Sequence, residues 1–255
     1  IGVRFVDAGH ILGSASIEVF IKEDTVNKKV VFSGDIGNLD QPIIKAPQFI
    51  LSADHVVMEA TYGDRLHSKD VDFRAQLAGI IVQSFSRGGN VIIPSFAIGR
   101  TQGLLYLIRE IKKNKLVSDS GFPVYVDSPM ASEATRLYDD DLHIYGDSQT
   151  RDIVANGMNP LDFPNLEFTD SVEESKALNY DPVPKVIISS SGMCEGGRIK
   201  HHLKHNLWKS QASVVFVGFQ ARGTLGRTIL EGVEKVTIHR DEVKVAASIH
   251  NFTGL

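Results

Sequence analysis

From residue 55 onward, short β-branched runs alternate with longer amphipathic stretches, and most runs end in a turn of small residues. His55-Val56-Val57-Met58-Glu59 reads as a fully buried strand, and Asn90-Val91-Ile92-Ile93-Pro94 as another. Pro123-Val124-Tyr125-Val126-Asp127, Lys185-Val186-Ile187-Ile188-Ser189 and Ser213 to Phe219 follow the same pattern. Helical spacings stand between them. Val71 to Ser86 places Phe73, Leu77, Ile80, Ile81 and Phe85 on one side, and Thr101 to Lys115 carries a stripe of Leu104, Leu105, Leu107, Ile108 and Ile111. Met130 to Tyr138, Ile199 to Trp208 and Thr224 to Leu230 complete the helical set. Strand, helix and strand in this order predict βαβ units and a parallel sheet covered on both faces. The first 60 residues differ, because Ala15–Lys22 and a run ending Lys29–Ser33 follow one another with no helical pattern between them. Prolines 160, 164, 182 and 184 reduce residues 139–184 to loops and short helices, and Lys235 to Ile249 holds two more strands. Two territories are expected, with a boundary near Tyr62 to Val71.

Composition narrows the function classes. With 42% hydrophobic and 23% charged residues, the 255-residue chain has the balance of an ordinary globular protein. Its one cysteine excludes an intramolecular disulfide and any multi-cysteine metal site, and fits a cytoplasmic location. No apolar run approaches the length of a membrane span, so no membrane partner is expected. The net charge of −4 means that nucleic acid must be held by a local patch. Ile1 already lies in a strand pattern and Leu255 follows no polar tail, so the chain reads as an excised piece of a longer protein.

In doubly wound sheets ligands sit at the carboxyl ends of strands, and the residues there are chemically suggestive. His10 and Asp35 each follow a strand, within Asp7-Ala8-Gly9-His10 and Ser33-Gly34-Asp35-Ile36-Gly37, and an imidazole with a carboxylate suits Zn²⁺. Either could equally be structural in a glycine turn. Glu59, ending an apolar strand, is expected to be partly desolvated with a raised pKa, as suits a general acid; the alternative is a turn acceptor for Thr61. The Ser189–Arg198 loop, with three glycines between strand and helix, resembles a phosphate cradle but lacks the Gly-Lys-Ser/Thr ending of a Walker A loop. Arg100 opens a helix and could clamp phosphate or form a buried ion pair. His201, His202 and His205 share a helix with Lys200 and Lys204, which favours a solvated or phosphate-facing surface over a metal site. Cys194 reads as packing.

Together these segments resemble the β-CASP branch of the metallo-β-lactamase superfamily, the RNA- and DNA-processing nucleases. Asp-Ala-Gly-His10-Ile-Leu-Gly-Ser-Ala and Phe-Ser-Gly-Asp35-Ile-Gly-Asn are similar to its motifs 3 and 4, and Met-Glu59-Ala-Thr-Tyr-Gly-Asp to motif A. Ile-Pro-Ser95-Phe-Ala-Ile-Gly-Arg100, Val-Asp127-Ser-Pro, Ser-Ser-Gly192-Met-Cys-Glu-Gly-Gly-Arg198-Ile-Lys-His-His202 and Gln220-Ala-Arg-Gly223-Thr-Leu-Gly-Arg227 follow in the branch's order. The resemblance implies an α/β chain: a parallel-sheet β-CASP domain at 66–246, with 1–65 and a return strand at 247–255 belonging to a metallo-β-lactamase αββα sandwich. It implies hydrolysis of single-stranded RNA at a two-zinc centre, with His10 and Asp35 as metal ligands and Glu59 in acid catalysis. Ser95, Arg100, Ser190, Ser191, Gly192, Arg198, His202, Gly223 and Arg227 would contact RNA or its phosphates, in a cytoplasmic protein for which a homodimer is a further expectation. The His-x-His-x-Asp-His motif of the superfamily is absent from these residues, as is the Ser-Gly-His-Ala-Asp stretch. The chain alone is therefore expected to bind zinc poorly and to be inactive, and a non-catalytic RNA-binding module is the alternative reading.

Overall fold

The structure is a computed structural model that describes residues 1–39, 41–61, 63–64 and 72–252. Most of the expected boundary at Tyr62 to Val71 lies outside the described residues. The chain divides into two compact units, Ile1–Leu66 with Tyr138–Pro160, and His67–Leu137 with Leu161–Leu255.

The first unit is built on β1 (Gly2–Asp7), β2 (Ala15–Glu23), β3 (Val26–Phe32) and β4 (His55–Val57), in that order across one sheet. β1–β2 and β2–β3 are antiparallel, whereas β3 and β4 are parallel. The register Phe5–Ile17–Phe32–Val57 puts these four residues on one face, and Arg4–Glu18–Val31–Val56 on the other. On the second face Glu18 is wholly buried and is clasped by Arg4 and Lys29 from the neighbouring strands. The first face stays open, with Phe5 69% and Val57 55% exposed. β4 is therefore not the fully buried strand its apolar sequence suggests. It is the sheet's edge, and its three residues are all exposed.

The second unit begins with α1 (Phe73–Ser86), whose N-cap Asp72 accepts from the N–H groups of Arg74 and Ala75 at 3.0 and 3.1 Å. Next come β5 (Val91–Pro94), α2 (Arg100–Lys113), β6 (Val124–Val126) and α3 (Pro129–Tyr145), whose later part belongs to the first unit. α3 runs beyond the expected end at Tyr138, since neither proline nor glycine intervenes before Gly146 and the Asp139–Asp141 run can be solvated on a helix. α4 (Ser148–Ala155) returns to the first unit, where the N-cap Asp147 accepts from the Thr150 and Ile43 N–H groups. β7 (Leu166–Phe168), α5 (Val172–Ala177), β8 (Val186–Ser189), α6 (Ile199–Asn206), β9 (Ser213–Phe216) and α7 (Leu225–Leu230) follow, then the hairpin β10 (Lys235–Ile238) and β11 (Asp241–Lys244), and finally β12 (Ser248–Asn251).

Six of these strands form a parallel sheet in the order β12-β9-β5-β8-β6-β7. Every residue of β5, β8 and β9 is buried, which is why their sequences are apolar without alternation. Leu203, Leu207, Ile229, Ile238 and Phe216 pack with Ile92, Ile187 and Val214 in one cluster, each such burial contributing about 1.5–3 kcal/mol. β12 lies beside β9 at the edge of this sheet.

Candidate functional site

In the first unit, two glycine turns lie backbone to backbone. Gly37 N–H donates to Ala8 C=O at 2.9 Å, and a Cβ on Gly37 would fall 1.7 Å from the Gly9 carbonyl oxygen, so only glycine permits the approach. The turns carry His10, after β1, and Asp35, after β3, with His10 Nε2 3.9 Å from Asp35 Oδ2. Both side chains are exposed. Glu59 follows β4, tied by its N–H to Ser33 Oγ at 3.1 Å, and its Oε2 accepts from Thr61 N–H at 2.8 Å. That hydrogen bond, with one from the Thr61 hydroxyl, holds the carboxyl below its usual range against a small opposing effect of burial, and His10 adds a lesser pull. The sequence suggested the opposite shift. Because β4 is an exposed edge, desolvation is too weak to outweigh the turn. His10 and Asp35 offer one nitrogen and one oxygen donor, fewer than the four ligands of a zinc site. Among the described residues no group of three or more His, Cys, Asp or Glu side chains is placed to hold a metal. These residues do not by themselves make a metal centre.

In the second unit, turns at the carboxyl ends of β5, β8 and β9 converge. Gln220 Nε2 donates to Gly192 C=O at 2.9 Å, Gly226 N–H donates to Met193 C=O at 3.1 Å, and Leu225 N–H donates to Glu195 Oε1 at 2.6 Å. Gly192 is buried against the Phe96 ring, which a Cβ there would meet at 2.8 Å. Ser95 is also buried. Its hydroxyl donates to Phe96 C=O and accepts from Thr101 Oγ1 at 3.1 Å, so it braces the turn and is not presented to a ligand. Ser191 closes its own loop, with its N–H on Gly196 C=O at 3.1 Å and its hydroxyl accepting from Gly196 N–H at 3.2 Å. Ser190 Oγ is buried with no hydrogen-bond partner among the described residues.

Arg198 and His202 were expected at phosphate; both turn inward to Asp127. This aspartate, at the end of β6, is wholly buried and accepts from Ser175 Oγ at 2.6 Å, Arg198 Nη1 at 2.7 Å, Thr169 Oγ1 and His202 Nε2. Burial alone would raise its pKa, but the bonds from His202, Ser175, Thr169 and Arg198 together hold it well below the usual carboxylate range. Arg198 also donates to the carbonyls of Thr169 and Asp170 at 3.2 and 3.0 Å. His202 is fully buried, its Nδ1 3.0 Å from Asn179 Oδ1. A guanidinium needs an anion, and the interior carboxylate supplies it before solvent or phosphate can. Asp127 is the centre of this network. Its place between an apolar strand and Ser128-Pro129 was the available signal, but aspartate at a strand end reads equally as a turn residue.

Among the remaining candidates, Arg100 is half-buried at the first turn of α2, Gly223 is exposed at φ +84°, and Arg227 is paired with Glu231 at 2.7 Å. Phe96, Ile98 and Phe219 are exposed in the same turns, and Phe96 and Phe219 had not been singled out from the sequence. Cys194 is packed as expected, and burial pushes its thiol up to about 12. Aromatic rings beside arginines can hold bases and phosphates without metal ligands of their own.

Comparison with known proteins fits this geometry. The Beta-Casp domain family matches residues 101–229, half of the chain. Ribonuclease TTHA0252 of Thermus thermophilus is 37% identical across all of this chain and 57% of that protein. An RNase J-like protein of Methanocaldococcus jannaschii is 31% identical over 96% of the chain and 55% of its own length. The transcription termination factor FttA of Methanosarcina mazei is 32% identical over 92% of the chain and 37% of its own length. The chain thus spans about half of the length of these two ribonuclease-named relatives, and less of the termination factor. With its parallel sheet, its helices and half its length matched, the chain belongs to the Beta-Casp family.

Proposed function

We propose that the chain is the β-CASP-bearing portion of a metal-dependent ribonuclease that hydrolyses phosphodiester bonds of single-stranded RNA. The observation that carries this reading is the convergence of His10 and Asp35 at 3.9 Å on adjoining glycine turns, in a chain whose relatives include proteins named ribonucleases. In the complete protein, His10 and Asp35 would be two of the ligands of a two-zinc centre, whose metal supplies the attacking hydroxide and stabilises phosphate charge. Residues 1–65 would belong to the metal-binding domain and 66–246 to the β-CASP domain. Arg100, Gly223 and Arg227 would meet RNA phosphates at the strand ends, with Phe96 and Phe219 beside the bases. The same reading places the protein in the cytoplasm; no described helix is long and apolar enough to cross a membrane.

The test is hydrolysis of a labelled single-stranded RNA by the full-length protein. Glu59→Gln is expected to lower turnover about 10²-fold or more with RNA affinity unchanged, the size of effect general acid–base chemistry contributes. Equal loss of both would make Glu59 a turn residue only. A second reading is a non-catalytic RNA-binding module, in which the exposed His10 and Asp35 serve only the glycine turns that carry them. Full-length protein that binds RNA, takes up no metal and leaves the RNA intact would establish it.

A further inference from the structure

The basic helix α6 leaves unexplained a surface far from the strand ends just described. From Arg198 to Ser213 the chain holds Arg198, Lys200, Lys204, Lys209 and three histidines with no acidic residue, in a protein of net charge −4. α6 starts at the carboxyl end of β8 and runs back, so its last turn lies at the amino ends of the strands. Asn206 Oδ1 accepts there from Asn90 Nδ2 at 3.1 Å, and Asn90 immediately precedes β5. At that edge His205 meets the Tyr180 ring, centroids 5.7 Å apart. Trp208 follows three residues later, in the turn after α6, with Lys209 Nζ 5.5 Å from its ring centre. Tyr180 is 76% and Trp208 56% exposed. They are also held in place. Asn179, beside Tyr180, faces buried His202 at 3.0 Å, and Leu207, beside Trp208, is fully buried. The nearby acids are engaged, Asp181 by Lys185 and Asp241 by Lys204.

We propose that Tyr180, His205, Trp208 and Lys209 form a second contact surface for single-stranded RNA, separate from the strand-end turns. Fixed aromatic faces accept unstacked bases of any sequence, and adjacent lysines hold the backbone. Lys209 supplies a cation beside the rings, which suits a polyanion better than an apolar protein partner. A strand engaged at both edges of the sheet would be held while its other part lies at the strand ends. The inference rests on the reading of RNA as substrate, and the experiment separates the two.

Trp208 is the protein's single tryptophan, so its emission reports this surface alone. The chain is titrated with a labelled oligouridine, following label anisotropy for any binding and tryptophan emission for binding here. The expected result is quenching that tracks anisotropy, weakens with salt, and is smaller with a duplex RNA of equal length. Tyr180→Ala and Lys209→Ala, both surface changes, should each weaken quenching affinity about fivefold or more while thermal unfolding stays unchanged. Anisotropy that rises without quenching would overturn this surface and leave the RNA reading standing. Absence of both signals would overturn the two together. Equal quenching by duplex would exclude base stacking, and quenching insensitive to both substitutions would move the contact elsewhere.

Discussion

Lys112 is an ammonium group enclosed almost entirely by protein. Its Nζ donates to the carbonyls of Phe122 and Pro164 at 2.6 and 3.0 Å and lies 4.2 Å from the Phe122 ring centre and 5.3 Å from that of Phe163. Burial pushes the amine down from 10.5 to about 8, against a weaker opposing pull from Asp119. Between those values the unfolded chain binds the proton that the folded chain has lost, so stability from this group rises as pH climbs from about 8 to 10.5. Urea unfolding across that window should show the rise in the native chain and a flatter profile in Lys112→Met; parallel profiles would remove Lys112 as the source. The Asp127 cluster has the same sign of pH dependence, in a more acidic window. Its folded pKa lies below the unfolded 3.8, so its contribution is complete above that value and is lost only as pH falls further. Asp127→Asn strands the Arg198 charge and should cost about 3–5 kcal/mol in urea unfolding, with Asp127→Asn/Arg198→Met recovering part of it. A loss near zero for the single change would mean that Arg198 finds another anion.

Among the elements, α5 shows how a local signal supports a distant network. Ser171 accepts from Glu174 N–H at 3.1 Å and Glu174 returns a carboxylate to Ser171 N–H at 3.1 Å, a closed capping box on a short helix. That helix delivers Ser175 to Asp127. Ser171→Ala should cost about 1 kcal/mol in unfolding free energy, and restoring the cap with Ser171→Asp should return most of it. The buried strands β5, β6, β8 and β9 were legible in the sequence because burial on two faces leaves mostly apolar residues there. α1 and α2 were legible from their stripes. β7 and α5 were not, since three-residue and six-residue elements between prolines carry too few periods to register. β4 was misread for a related reason: an uncovered apolar edge and a buried strand have the same composition. The site follows the same division. His10 and Asp35 could be placed together because glycine turns and strand ends fix them locally. The inward turn of Arg198 and His202 depends on Asp127, 71 and 75 residues away, and no spacing rule reaches that far.

On the scale of the whole molecule, the two sheets differ in how completely they are covered. The parallel sheet of the second unit has its central strands buried on both faces. In the first unit the face defined by Phe5, Ile17, Phe32 and Val57 is open, and Val3 extends it along β1. A continuous apolar sheet face of this kind seldom stays in water unless something binds it. The chain studied by itself is therefore expected to associate through this face. Sedimentation velocity over a rising concentration series should show a reversible shift to heavier species. Phe5→Lys places a charge at the centre of the face without touching the Arg4–Glu18–Lys29 cluster on the opposite side, and should return the chain to a monomer at the same concentrations. Val57→Lys, on the exposed edge strand, should act in the same direction. An environment-sensitive apolar dye should bind the native chain and bind Phe5→Lys less. A chain that stays monomeric throughout, with dye binding unaffected by either lysine, would show that this face is not the adhesive surface.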